Sequence, residues 1–203
     1  ELEALVDDLE AVADAAGLDR FPLLAASQGV PVAIAFAVRR PERVARLVLY
    51  GGYAQGRLLR EGPDGRETAE AIFTVIREGW ARRDSPFATA FASLYMPDAS
   101  AEQLAHMVEI QRASATPEAA VALRRAIDAF DVSDLLGQVR APTLIVHADG
   151  DGVQPVSQAR VLAGGIPGAI LHVLDSRNHV FLPQHPSWES FVGATEAFLA
   201  EGD

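Results

Sequence analysis

The chain contains no cysteine. Disulfides, thiolate metal sites and a cysteine nucleophile are therefore excluded. It also contains no lysine: all 17 basic residues are arginine, which together with the abundant alanine marks a compositional bias of the source rather than a mechanism. Positive charge is scarce, and 28 acidic residues leave a net charge of -11. That balance argues against nucleic acid, whose phosphates need a clustered basic face, and against docking on anionic membranes. No apolar run approaches the roughly 18 residues of a spanning helix, and no signal-peptide pattern opens the sequence. A cytoplasmic protein is the default expectation.

What remains is an ordinary globular composition. The 203 residues, 49% of them apolar, suffice for one domain with a core, or one domain plus an insertion. Residues 1–17 carry Leu2, Leu5, Val6, Leu9, Val12 and Ala13 at helical spacing, with Gly17 as a stop. Because Glu1 falls directly in this amphipathic pattern, the natural N-terminus is expected to lie upstream. Phe21 to Ala26 is a short apolar run bounded by turn residues, as in a buried strand. Gln28 to Arg39 returns to helical spacing, and Val44 to Tyr50 (VARLVLY) is a second buried strand closed by Gly51-Gly52. This alternation predicts a parallel sheet with crossovers.

The character changes near Tyr53. Gly56, Gly62, Pro63 and Gly65 predict a loop, followed by helical stretches near 66–83, 86–95, 100–114 and 117–130. Ser100 with Gln103 fits a capping box, whereas Thr116 is followed three residues later by Ala119. Strand patterning resumes at Pro142 to His147 (PTLIVH), then a helix over Val156 to Gly164, a strand over Ile170 to Leu174, and a closing helix from Pro186 to Ala200. The expected fold class is therefore α/β, with a mostly parallel, helix-covered sheet in residues 1–52 and 141–203 and an all-helical cap in 53–140. Four strands make a small sheet.

Three short stretches carry chemistry. Ala25-Ala26-Ser27-Gln28-Gly29 lies between a strand and a helix, where a nucleophile elbow would hold a serine hydroxyl above the sheet. The usual first glycine is here Ala25, the smallest departure available. The structural alternative is that Ser27 only caps the helix. His147-Ala148-Asp149-Gly150-Asp151-Gly152 follows a buried strand and offers two carboxylates, competing with a simple Asp-Gly turn and with a calcium loop, whose other ligand positions are filled by poor donors. Asp175-Ser176-Arg177-Asn178-His179 follows the last strand. Of the five histidines, His106 sits on a polar helix face, His147 and His172 lie in or beside strands, and His185 is near a helix start; His179 alone occupies a strand-end loop. The order Ser…Asp…His, each after a strand, is the order this chemistry takes on an α/β sheet. Histidine removes the serine proton, and a buried aspartate fixes its tautomer.

On these residues the sequence resembles the α/β-hydrolase fold family. The matching stretches are FPLLAASQGVPVAIAFAVRRPERVARLVLYGG, APTLIVHADGDGVQP and LDSRNHVFL. RLVLYGGYAQG and LDSRNH are most similar to bacterial hydrolase domains found beside helix-turn-helix regulators or cyclases. The resemblance implies Ser27 as nucleophile, His179 as base, and Asp151 rather than Asp149 as acid, since the family acid follows a His-x-x-x-Asp-x-x-x-Pro run. It implies a backbone oxyanion donor at Gln28, no cofactor and no metal. A second oxyanion donor would come from a loop after an earlier strand, and only a helix and a strand precede Ser27 here. An inactive fragment, or a site completed by another segment, is the implied consequence.

The expected activity is cleavage of a carboxylic ester, thioester or lactone through an acyl-enzyme, with a small acyl substrate as partner and a homodimer left open. A ligand-sensing or regulatory domain on the same fold, or a cofactor-free perhydrolase or haloperoxidase-like activity, would use the same residues. In the helical segment, Trp80, Phe87, Phe91, Tyr95 and Met96 form either an apolar pocket or, the favoured reading, helix-packing core.

Overall fold

The computed structural model describes residues 1–80, 82 and 85–201. In chain order they form α1 (Leu2–Ala15), β1 (Phe21–Ala26), α2 (Gly29–Arg39), β2 (Val44–Tyr50), α3 (Arg57–Arg60), α4 (Gly62–Gly79), α5 (Pro86–Tyr95), α6 (Ala101–Ser114), α7 (Pro117–Asp128), a 3-10 turn (Ser133–Gln138), β3 (Thr143–Ala148), α8 (Val156–Gly165), β4 (Ile170–Leu174) and α9 (Pro186–Ala200). The strands make one parallel sheet in the order β1-β2-β3-β4.

Consecutive strand residues face opposite sides of a sheet. In β2 and β3 both sides are apolar, so Leu47, Leu49 and Ile145 enter one core while Val48, Tyr50, Leu144 and Val146 enter the other. The first core is closed by α2 and α8, with α1 laid against α2, and the second by α9. This is why VARLVLY reads as a continuous apolar run and not as an alternating one. β1 is an edge strand. Pro22 interrupts its register beside Phe21, and a residue without an N–H is tolerated where no neighbour needs one.

The helices between β2 and β3 hold their own apolar clusters. Phe73, Ile76, Phe91 and Val121 join α4, α5 and α7, and Ala88, Ala92 and Val108 join α5 to α6. Ser100 and Gln103 form the reciprocal capping box at the head of α6, and Thr116 Oγ1 accepts from Ala119 N at 3.2 Å at the head of α7. The expected loop over Gly56 to Gly65 is instead α3 plus the first turn of α4. Gly62 takes φ +58° to turn between the two helices, Pro63 occupies the first turn where its missing N–H is not needed, and Gly65 lets α4 approach the carbonyl of Arg57. The helix expected near 66–83 therefore spans 62–79; positions 81 and 83 lie outside the described residues. The helix expected over 117–130 ends at Asp128, and Asp131 pairs with Gln55 in an isolated antiparallel bridge.

Close approach is tight at Gly52, where an added Cβ would lie 2.3–2.5 Å from the side chain of fully buried Val30. Gly52→Ala should cost about 1–3 kcal/mol by overpacking, and Val30→Ala in the same chain should recover part of it. Urea unfolding measures both; a Gly52→Ala protein as stable as the parent would contradict this packing.

Candidate active site

Ser27 sits between β1 and α2. Its φ of +52° makes it the one non-glycine residue with positive φ among the described residues. Its amide donates to the Tyr50 carbonyl at 2.8 Å, tying the turn to the end of β2. Left-handed backbone costs an L-residue about 1–2 kcal/mol, and ordinary helix capping does not require it. The cap-only reading of Ser27 therefore leaves the strain unexplained. The small flanks matter as the sequence suggested: the Ala25 Cβ lies 3.8 Å from where a Gly29 Cβ would be, an ordinary contact that accommodates alanine in place of the usual glycine.

His179 lies in the loop after β4, 3% exposed, with Nε2 2.8 Å from Ser27 Oγ and Nδ1 2.6 Å from Asp151 Oδ2. Asp151 is buried in the loop after β3. Its Oδ1 accepts from the amides of Val153 (2.7 Å) and Gln154 (3.0 Å), which aims Oδ2 at the imidazole. Asp149, the competing carboxylate, is exposed and accepts from Ser176 N at 3.3 Å. The geometry brings Ser27, His179 and Asp151 together and leaves Asp149 out. Gln28 heads α2, so its amide is among the first N–H groups of a helix, which have no carbonyl partner within it. Ahead of Ser27 the described residues form only α1 and β1.

The helical segment reaches this site from above. The Tyr95 carbonyl, at the end of α5, accepts from both His179 N (2.8 Å) and Val180 N (3.1 Å), and the Tyr95 ring meets the His179 ring edge-on at 5.4 Å. Asp98 binds Arg177 and exchanges hydrogen bonds with Asn178, at 3.1 Å from its own amide and 3.0 Å to its carboxylate. A cavity of about 350 Å³ opens beside Gln28, lined by Trp80, Phe91, Tyr95, Gln111 and Arg124 among others. Trp80, Phe91 and Tyr95 thus line a pocket while also packing between helices; Phe87 is half-exposed, with its Cβ against Gly79 of α4.

A family model of the alpha/beta hydrolase fold matches residues 1–186. The chain belongs to the α/β-hydrolase fold family. It is 29% identical over 211 residues to a 2-hydroxy-6-oxo-2,4-heptadienoate hydrolase of Pseudomonas putida, covering 100% of this chain and 71% of that protein. It is 27% identical to a Pseudomonas syringae protein provisionally named as the carbamate hydrolase RutD, covering 98% of this chain and 73% of that one. Among solved structures, an esterase from Exiguobacterium antarcticum superposes with a TM-score of 0.84 at 21% identity, over 99% of this chain and 74% of its own. At that identity the likeness is one of fold.

Within this α/β-hydrolase frame the other histidines are accounted for structurally. His106 is exposed on α6, His172 meets Ser190 Oγ at 2.9 Å, and His185 caps α9 through Ser187 N. His147 is fully buried in β3; its Nε2–H donates to the Gln154 carbonyl at 2.9 Å and so braces the Asp151 loop. Its Nε2 also lies 3.8 Å from Asp151 Oδ2, yet burial outweighs that attraction and pushes the imidazole pKa down, so the ring is neutral. Sequence reasoning missed Tyr95 as a support because 84 residues separate it from His179, and it used His147 only as the first residue of the His-x-x-x-Asp run, although its contact with Gln154 spans seven residues. No group of three or more potential metal ligands occurs among the described residues.

Two predictions follow from these placements. At φ +52°, glycine should be favoured over alanine, so Ser27→Gly should be more stable than Ser27→Ala by about 1 kcal/mol; equal urea midpoints would remove the strain argument. Folded His147 takes its proton at lower pH than the unfolded chain, whose imidazole titrates near 6.5. The unfolded state then binds more protons as pH falls, and stability is lost from about pH 6.5 downward. His147→Gln keeps an N–H for the Gln154 carbonyl but does not titrate. Its unfolding free energy should fall less steeply than the parent's between about pH 6.5 and about pH 5, and parallel curves would contradict the assignment.

Proposed function

We propose that the chain is a serine hydrolase that cleaves a carboxylic ester, thioester or lactone by way of an acyl-enzyme. The observation that carries this reading is the unbroken hydrogen-bond chain Ser27 Oγ, His179, Asp151, with the serine held in left-handed backbone. An unassisted serine hydroxyl is a poor nucleophile. Here Ser27 O–H donates to His179 Nε2 while His179 Nδ1–H donates to Asp151. As Oγ bonds to the acyl carbon, its proton passes to Nε2; the imidazolium that forms is stabilised by Asp151 and then protonates the leaving group. Water, deprotonated by the same nitrogen, releases the acid and restores Ser27. The amide of Gln28 supplies one donor for the developing oxyanion, at the positive end of the α2 dipole.

The relatives named above support hydrolysis as the reaction class. Choice of the acyl bond rests on the serine-histidine-aspartate chemistry. The helices from α3 to α7 act as a cap over the site, and the apolar cavity of about 350 Å³ beside Gln28 is of a size that takes a small acyl group.

A fluorophosphonate probe should label this chain once, at Ser27, and Ser27→Ala should abolish both labelling and p-nitrophenyl butyrate turnover. Asp151→Asn should lower kcat by about 10³–10⁴-fold by releasing the imidazole tautomer. Labelling that survives Ser27→Ala would overturn the assignment.

A further inference from the structure

Phe91, Tyr95 and Arg124 also line a second, more enclosed cavity of about 240 Å³, bounded by α3, α4, α5, α7 and the Gly152-Val153 turn. Arg57 and Thr68 complete its polar lining, and no carboxylate lines it. Arg124 is satisfied: its Nε and Nη2 each lie 3.0 Å from the buried carboxylate of Asp128, and its Nη1 donates to Tyr95 Oη at 3.1 Å. The two arginines of α3 are not so matched. Glu61 lies 3.1 Å from Arg60 Nε but 3.9 Å from Arg57 Nε. Three guanidinium groups (Arg57, Arg60, Arg124) thus face two carboxylates (Glu61, Asp128), leaving one positive charge in excess.

The remaining contacts of these arginines are to neutral acceptors. Arg57 donates to the Val153 carbonyl at 3.1 Å, and Arg60 to Gln55 O at 3.1 Å and Gln154 Oε1 at 2.8 Å. Arg57 Nε and Arg60 Nη2 are shielded from solvent and have no hydrogen-bond partner. A buried charged donor left unpaired is costly, and Glu61, the carboxylate that approaches Arg57 Nε, stays 3.9 Å away and bonds to Arg60 instead. The missing group has to be an acceptor, negative, and small enough for the chamber. A planar carboxylate matches the guanidinium fork.

We propose that this chamber is a carboxylate-binding site, with Arg57 as its principal donor. Because the chamber shares the Phe91, Tyr95 and Arg124 wall with the cavity beside Gln28, the carboxylate can be the far end of the substrate's own acyl group; a separate small carboxylic acid is the other source. The first source rests on the hydrolase reading above, whereas the charge count does not.

Calorimetric titration of the chain with pentanoate and with its neutral analogue pentanamide tests the site without any turnover. Pentanoate should bind at least about tenfold more tightly, the difference expected of one charge-assisted pair. Arg57→Gln should erase that preference, and Arg57→Lys, which keeps the charge but loses the fork, should retain only part of it. Arg125→Gln removes an exposed charge from the next position of α7 and should leave the preference whole. No preference in the parent, or an undiminished one in Arg57→Gln, overturns the proposal; should Arg57→Gln fail to fold, the parent and Arg57→Lys decide it.

The source is read from kcat/KM for mono-p-nitrophenyl glutarate relative to p-nitrophenyl pentanoate. A ratio that drops about tenfold in Arg57→Gln assigns the carboxylate to the substrate. An unmoved ratio beside a lost pentanoate preference assigns it to a separate acid and still supports the site. If neither ester is turned over, the hydrolase reading falls and the titration result stands by itself.

Discussion

One imidazole, held at both ends, is the constraint on which the site depends. His179 meets Ser27 through one ring nitrogen and Asp151 through the other, and the three residues come from loops after β4, β1 and β3. A parallel sheet places the carboxyl ends of all its strands on one side, which is why three distant loops can converge. Yet β2 lies between β1 and β3, and the ring has to pass over its end. Gly51 makes this possible: it takes φ +57°, and a Cβ there would come within 3.3 Å of His179 Cε1. The Gly51-Gly52 pair thus clears the ring on one side and seats Val30 of α2 on the other.

The second support comes from the helical segment. Tyr95 gives its carbonyl to two successive amides of the His179 loop and its ring to the imidazole. Its hydroxyl joins the buried Arg124–Asp128 pair, so the end of α5 is pinned to α7 as well as to the loop. Removing one partner of such a pair would leave a buried charge, at a cost of about 3–5 kcal/mol. The Asp98–Arg177 contact beside it is more exposed, and although Arg177 holds the Asp98 carboxyl below the usual range, solvent screening makes it a minor contributor. The buried contacts are therefore what fixes the histidine, and through them the helical segment helps to hold the site together.

Charge is distributed in two regimes. On the outside, arginines of α2 and its following turn are met by acids of α1: Arg39 by Glu3 and Asp7, Arg40 by Glu10, and Arg43 by Asp14. These hold α1 against α2 but are partly solvated. Between the helical segment and the Asp151 loop, Arg124 is buried and Arg57 and Arg60 are partly buried, and these three cations meet two carboxylates, Glu61 and Asp128, despite the acidic composition of the whole. Overall charge said nothing of this, because solvation and pairing are set by where each side chain lands.

The sequence by itself determined the strands, the parallel order of helix and strand, and the three residues that could do serine chemistry. These are local properties: apolar period, turn residues and the type of side chain at a strand end. It separated Ser27 and His179 from their rivals by position along the chain, and it favoured Asp151 over Asp149 only through family likeness. Only the fold shows which carboxylate meets His179: the Val153 and Gln154 amides turn that of Asp151 toward the ring. The fold also decided that Gly62, Pro63 and Gly65 serve helix packing rather than a loop, that Tyr95 clamps a residue 84 positions away, and that Arg57 and Arg124 line one chamber. Those facts depend on which surfaces meet, and no periodicity along a single chain records the meeting of two surfaces.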